Sequence, residues 1–572
     1  MSAARLELIF LWHMHQPDYR DRETGAFVMP WTLLHALKDY TDMAGHFERH
    51  PTIRGVVNFV PVLLDQIEDY VDQCATKQFR DPWLRWLAAP QQALESLPSG
   101  ERRLLLDGGF RSNPTTMLAA FPHYQRLQAL YENLFREGET ALSYLSGAFL
   151  ADLLVWYLLA WTGETERRRE PLLAELMAKA EGFDHADRLR LLDYIARTLS
   201  GLLPRYRALQ TRGQLEVSTT PATHPLSPLL LDFRIARESL PNAPLPQAEA
   251  YPGGRERVRK QLEQARESHT RRFAKAPVGM WPAEGGVSSA FVGAAAQAGC
   301  RWLATGENVL KHSLGKTVPG SAYRPWRHGD TSSPLIFFRD DHLSDMIGFE
   351  YAKWHGRDAA ADFVCQLEAI AAAAPADETP VVSVILDGEN AWEYYPYNGY
   401  YFFDDLYGLL EKHRVIRTRT FTDIVGDADK GAILPVPTLS TLVAGSWVHG
   451  TFSTWIGDPD KNRAWDLLCA AKQSYDQVMG SGRLSPAEQG AAEAQLAVCE
   501  SSDWFWWFGD YNPGPAVASF DRLFRSNLAR LYRCLNLTPP VQLDQAIAAG
   551  RVDGANVAAV ATGGTMRRGT TS

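Results

Sequence analysis

The chain has 572 residues, of which 45% are hydrophobic and 22% charged, enough for one large core with a second domain beside it. Its formal net charge is −9 and it carries no long basic run, so it lacks the positive footprint that nucleic acid or an anionic membrane demands; no such partner is expected, and an uncharged ligand fits better.

Residues 5–11 form an apolar run of buried-strand length, and Glu7 within it argues against a signal peptide or a membrane span. A second strand is read at Gly55-Val-Val-Asn-Phe-Val, ended by Pro61. Further strands are expected at Gln214–Val217, Val278–Trp281, Arg301–Ala304, Leu335–Phe338 and Val381–Leu386, with helices over 255–273, 288–299 and 358–374 between them. This alternation predicts an α/β barrel or doubly wound sheet over residues 1–430, interrupted by a helical insertion at about 87–206. Helical patterns return over 461–480, 484–500 and 518–535, giving a C-terminal helical domain over 431–560; the small, polar stretch 561–572 is expected to be a disordered tail. Six cysteines are scattered without CxxC pairing, which argues against a disulfide framework or a zinc site and for a reducing, cytoplasmic setting.

Five segments carry chemistry. His13-Met-His15-Gln-Pro follows the first strand, and residues two apart on an extended backbone face one side. Such a pair ligates metal, hydrogen-bonds sugar hydroxyls or is merely structural; a metal would need further ligands from other strand ends. Glu216 ends a short strand before a Ser/Thr/Pro loop that contains His224. In Trp281-Pro-Ala-Glu284-Gly-Gly a strand stops, a carboxylate follows, and two glycines leave room for a close ligand. Asp387-Gly-Glu389-Asn-Ala-Trp392 ends a fully apolar strand, and four tyrosines follow it by residue 400. Sugars present apolar faces to aromatic rings and hydroxyls to carboxylates, so this composition suits carbohydrate better than phosphate or peptide. Last comes Asp503-Trp504-Phe-Trp-Trp, whose rings cannot all enter one helix face, so some must cover the barrel mouth or else form an exposed sticky patch, beside an aromatic loop at Trp447.

In this order the segments resemble the five motif regions of glycoside hydrolase family 57, from His13 to about Asn512, with most likeness to its amylase and amylopullulanase branch. The resemblance implies an incomplete (β/α)7 barrel followed by a helical domain, retaining action on α-glucosidic bonds, and neither metal nor cofactor. It maps the nucleophile to Glu284 and the acid/base to Asp387. His13, His15, Glu216, Trp281, Glu389, Trp392, Trp447, Asp503 and Trp504 would bind an α-glucan or malto-oligosaccharide. Two features depart from the family pattern: Gly509-Asp-Tyr-Asn512 after the last aromatics, and His449 where an acidic residue is common. Two carboxylates suffice for this chemistry without the family, spaced about 5–5.5 Å for retention or about 6.5–9.5 Å for inversion. Three readings are open: hydrolysis of α-1,4 bonds with or without α-1,6 cleavage, glucanotransferase or branching-type transfer by the same pair, and a silent glucan-binding protein.

Overall fold

The computed structural model describes residues 5–432 and 436–550, so the tail expected at 561–572 lies outside the described residues. Nine strands form one mostly parallel sheet: β1 (Leu6–Met14), β2 (Gly55–Phe59), β3 (Leu215–Thr219), β4 (Trp302–Gly306), β5 (Trp326–His328), β6 (Leu335–Arg339), β7 (Val381–Asp387), β8 (Ile416–Thr418) and β9 (Thr438–Leu439). Parallel pairing runs β3-β2-β1-β7-β6-β4. The two ends of that order meet at Met280, which bridges in parallel to Thr219 of β3 and to Leu303 of β4. Six strands and this one-residue link make a ring of seven, and the Val278–Trp281 strand shrinks to its bridging residue. The three unforeseen strands are two or three residues long, too short to show a period in the sequence.

Period-two alternation decides what the ring encloses. Ile9 and Leu11 of β1, Val56 of β2, Trp302 and Ala304 of β4, Leu335 and Phe337 of β6, and Val381 and Ile385 of β7 form an inner apolar cluster. Their neighbours Leu8, Phe10, Trp12, Val57, Ile336, Phe338, Val382 and Val384 belong to the outer core under the helices. Continuing the inner face by two residues toward each strand's C-terminal end brings His13, Asn58, Arg339 and Asp387. The barrel therefore has an apolar floor and a polar mouth, the end where parallel α/β folds carry their chemistry.

Between β2 and β3 the chain is helical from Pro61 to Thr211, a longer run than 87–206. After β9 come helices Pro459–Gly480, Pro486–Cys499, Ser502–Trp507 and Gly514–Cys534. Ser485 and Glu488 cap the second of these reciprocally, which fixes where it starts. This C-terminal group docks on the loop after β3: Pro225 bridges Ser501, and the Ser502 amide donates to the His224 carbonyl at 2.9 Å. All six cysteines are free thiols. Among the described residues no helix is long and apolar enough to cross a membrane.

Candidate active site

The strand register brings the first two chemical segments together. His13 lies opposite Asp387 in the β1–β7 pairing, and the Gly388 amide donates to the His13 carbonyl at 2.7 Å. A Cβ on Gly388 would sit 2.1 Å from the Met14 sulfur, so a larger residue here would have to displace the Met14 side chain. Glu284 follows the Met280 link in a left-handed conformation (φ 58°, ψ 22°), with its carbonyl accepting from the Trp447 amide at 3.1 Å. His224 and His449 also have positive φ, at 60° and 56°. Three left-handed non-glycine residues around one mouth are a local concentration of backbone strain, each costing of order 1 kcal/mol or more.

Glu284, Asp387 and Asn390 line both an outer cleft of about 280 Å³ and a narrower inner cavity. Arg339, Asp341, Asp345, Trp447, His449 and Trp506 add to the outer wall. His13, His15, His224, Glu389, Asp503 and Trp507 add to the inner one. Ser502 Oγ lies 2.9 Å from Glu284 Oε1, and Trp447 Nε1 donates to Oε2 at 3.3 Å. His15 Nε2 donates to both carboxylate oxygens of Asp503 at 3.0 Å. The Asn390 amide donates to Asp387 at 2.5 Å, and Gln16 to Glu389 Oε1 at 3.1 Å. Glu389 Oε2 and His15 Nδ1 are buried without a protein partner. Both line the cavity, and a buried polar atom of that kind is costly unless a ligand satisfies it.

Four buried carboxyls in one pocket cannot all ionise. Burial pushes Glu284 up to about 8, helped by the charges of Asp503 and Asp387. Burial likewise raises Asp387, against the pull of the Arg339 guanidinium and the Asn390 bond. Glu389 is raised well above the usual range by burial and then by Asp387, and Asp503 is raised by burial. Burial lowers His13 and His15 to about 3, so both rings are neutral near pH 7. A pocket that retains protons on some carboxyls while others ionise is what paired acid and nucleophile chemistry requires.

Of the sequence-predicted site residues, Glu284, Asp387, His13, His15, Glu389, Asp503 and Trp447 meet at this mouth. Four do not. Glu216 sits near the start of β3, at the floor of the ring, where it accepts from Trp302 Nε1 at 2.8 Å and from Thr422. It binds the first turn of the helix Phe421–Asp429, whose N-cap is Thr420, rather than facing the mouth. Trp392 is 2% exposed; its indole donates to the Gly388 carbonyl and its ring packs on Trp12 and Phe403. Trp281 is fully buried beneath Gly285. Trp504 is fully buried against Phe524 and donates to the Val498 carbonyl, while its neighbours Trp506 and Trp507 line the cavities. Asn58, His224, Arg339 and Ser502 were not foreseen. Asn58 and Arg339 are lone polar residues in apolar strands, a signal the sequence does contain; His224 and Ser502 offer none.

His15, His224 and Asp503 place ligand-type atoms within 4.8 Å of one another. The geometry does not suit a metal. The two imidazoles stack face to face at 3.8 Å with 20° between their planes, so their in-plane lone pairs cannot converge on one ion. Both His224 nitrogens are engaged as well, with Ser502 and His13.

No curated protein matches the chain in sequence. Among solved structures it resembles a GH57 branching enzyme from Thermococcus kodakaraensis (TM-score 0.58, 14% identity, covering 93% of this chain and 90% of that one). It also resembles a GH57-type branching enzyme from Pyrococcus horikoshii (0.56, 15%, 94% and 96%) and the alpha-amylase AmyC from Thermotoga maritima (0.55, 14%, 93% and 93%). At such identities the likeness is one of fold. The model of glycosyl hydrolase family 57 matches residues 9–437, three quarters of the sequence, so the chain belongs to glycosyl hydrolase family 57.

Proposed function

We propose that the protein is a retaining glycoside hydrolase cleaving α-1,4-linked glucans, with Glu284 as nucleophile and Asp387 as acid/base. The observation that supports it most is the pair itself: two buried carboxyls from different strand ends share both cavities, one of them held by a hydrogen-bond partner on each oxygen. Glu284 would attack the anomeric carbon as Asp387 protonates the departing glycosidic oxygen. Asp387, now ionised, would take a proton from water, which displaces Glu284 from the sugar and restores the starting configuration. His15, Glu389 and Asp503 would bind the hydroxyls of the cleaved residue, with the unpartnered Glu389 Oε2 as one acceptor, while His13 is held by Asn58 and His224 through both ring nitrogens. Trp447 and Trp506 would stack on neighbouring sugars in the outer cleft.

A second reading, a transferase that passes the glycosyl group to another sugar, is favoured by the likeness to two structures named as branching enzymes. Products from maltoheptaose separate the two: shorter sugars alone mean hydrolysis, longer ones beside them mean transfer. For the roles, Asp387→Asn should still react with an aryl glycoside whose leaving group needs little protonation, and a covalent sugar should accumulate on Glu284, seen by mass spectrometry. Azide should then release product of retained configuration. Label on Glu389, or release with inversion, would reassign the pair.

A further inference from the structure

The inner wall contains a hydrogen-bonded chain that the two-carboxyl reaction does not use. It runs from Asn58 Oδ1 to His13 Nδ1 (2.7 Å), from His13 Nε2 to His224 Nε2 (3.1 Å), from His224 Nδ1 to Ser502 Oγ (2.9 Å), and from Ser502 Oγ to Glu284 Oε1 (2.9 Å). All five side chains are buried, and they come from five separate parts of the chain.

Its protonation follows from its anchored end. Asn58 Nδ2 donates to the Thr219 carbonyl at 2.7 Å and to Ser218 Oγ at 3.0 Å, and a carbonyl can only accept. The amide orientation is thereby fixed, Asn58 Oδ1 is an acceptor, and His13 Nδ1 must carry a hydrogen. A neutral His13 then presents a lone pair at Nε2, so His224 Nε2 carries the next hydrogen and His224 Nδ1 accepts from Ser502. The Ser502 hydroxyl has one hydrogen, already given to His224. The contact between Ser502 Oγ and Glu284 Oε1 can then be bonded only if the proton belongs to Glu284. With every histidine neutral, the chain is satisfied only by a protonated Glu284, whereas attack on a sugar needs the carboxylate.

We propose that Ser502, His224 and His13 are a proton relay that takes the proton from Glu284 and holds it on His13 only while the bond to the sugar forms, arming the nucleophile without release to solvent. In the free protein burial keeps the proton on Glu284 and His13 neutral, so the transfer is coupled to attack on the bound sugar rather than completed beforehand. This rests on the reading of Glu284 as nucleophile. Three hops accomplish the transfer: the Glu284 proton passes to Ser502 Oγ, the Ser502 proton to His224 Nδ1, and the His224 Nε2 proton to His13 Nε2. No atom is gained or lost, and each contact keeps one hydrogen with its polarity reversed. The products are a Glu284 carboxylate accepting from Ser502 and a His13 imidazolium donating to Asn58 and His224. The other titratable groups facing the chain are His15, stacked on His224 at 3.8 Å, and Asp503, Asp387 and Glu389 across the cavity. Asp503 favours the imidazolium and His15 opposes it. When Asp387 gives up its proton to the leaving group, the charge stored on His13 offsets the new carboxylate.

Ser502 touches the reacting carboxyl, while His224 and His13 act through it, so the decisive substitution is at the far end. His13→Gln fills similar space and is neutral, like the ring it replaces, but cannot accept the proton. The pH profile of kcat/KM on an aryl α-malto-oligoside reads the outcome. The relay predicts that the acidic limb moves to higher pH by about one unit, which is about a tenfold loss below the limb and little above it. A curved proton inventory in H2O/D2O mixtures should also become linear. Ser502→Ala should shift the limb similarly, Ser502→Thr should restore it, and this pair carries the test if His13→Gln does not fold. A loss equal at all pH values, or a change in KM alone, overturns the relay. Absence of covalent label on Glu284 would sink the nucleophile assignment; label on Glu284 with an unmoved limb sinks only the relay.

Discussion

Replacing Glu284 by Gln should stabilise the protein at alkaline pH while abolishing activity. Unfolded, a glutamate titrates near 4.5; folded, Glu284 titrates at about 8 because burial and the Asp503 and Asp387 charges oppose its ionisation. A folded-state value raised above the unfolded one means that the native protein binds more protons between pH 4.5 and 8, so its stability falls through that window and levels off above it. The span, 8 − 4.5 = 3.5 units, corresponds to about 5 kcal/mol at ~1.36 kcal/mol per unit. Asp503 and Asp387 share that repulsion and take up part of the relief when it is removed, which brings the expected effect to about 2–3 kcal/mol. A glutamine never ionises, and its amide can accept from Trp447 Nε1 while donating to Ser502 Oγ, the polarity of a protonated Glu284, so both bonds are kept at every pH. Urea unfolding at about pH 5 and about pH 9 should show the variant close to the parent at the first and stronger at the second. A difference that stays flat between the two would refute the claim that Glu284 ionises against its surroundings.

Trp392→Ala should cost about 3–5 kcal/mol of stability, as for a large ring removed from a packed core, while KM for a malto-oligosaccharide stays within about twofold. A raised KM with an unchanged denaturation midpoint would place that ring in a sugar subsite after all. Exhaustive chelation should leave activity intact, because the stacked His15 and His224 rings cannot share an ion. Activity lost to chelator and restored by zinc would overturn that geometry.

The sequence made strand ends and their carboxylates legible because apolar runs stop abruptly there: Asp387 and Glu284 each follow such a stop, and β1 delivers its paired histidines by simple alternation. The same logic misplaced Glu216. It too lies on a short strand, but three residues before that strand's end, and a carboxylate at the barrel floor looks the same in sequence as one at the mouth. Aromatic residues were legible as a group and not as individuals. Trp392 and Trp504 are core while Trp447, Trp506 and Trp507 face the cavity, since which side of a short helix or turn faces inward depends on what docks against it. His224 was illegible for a related reason: its position beside His13 comes from the left-handed turn after β3 and from the contact with Ser502, more than 270 residues away.

That separation has a temporal side. During synthesis both carboxyls are in the nascent chain once residue 387 has been added, but Ser502, Asp503 and Trp507 are not. The gap of 507 − 387 = 120 residues lasts about 6–24 s at ~5–20 residues per second. Until it closes, Glu284 lacks its Ser502 partner and His15 lacks its Asp503. An emerging barrel therefore has an incomplete site until the last helices are made, and the onset of activity is expected to follow their docking rather than the folding of the barrel itself.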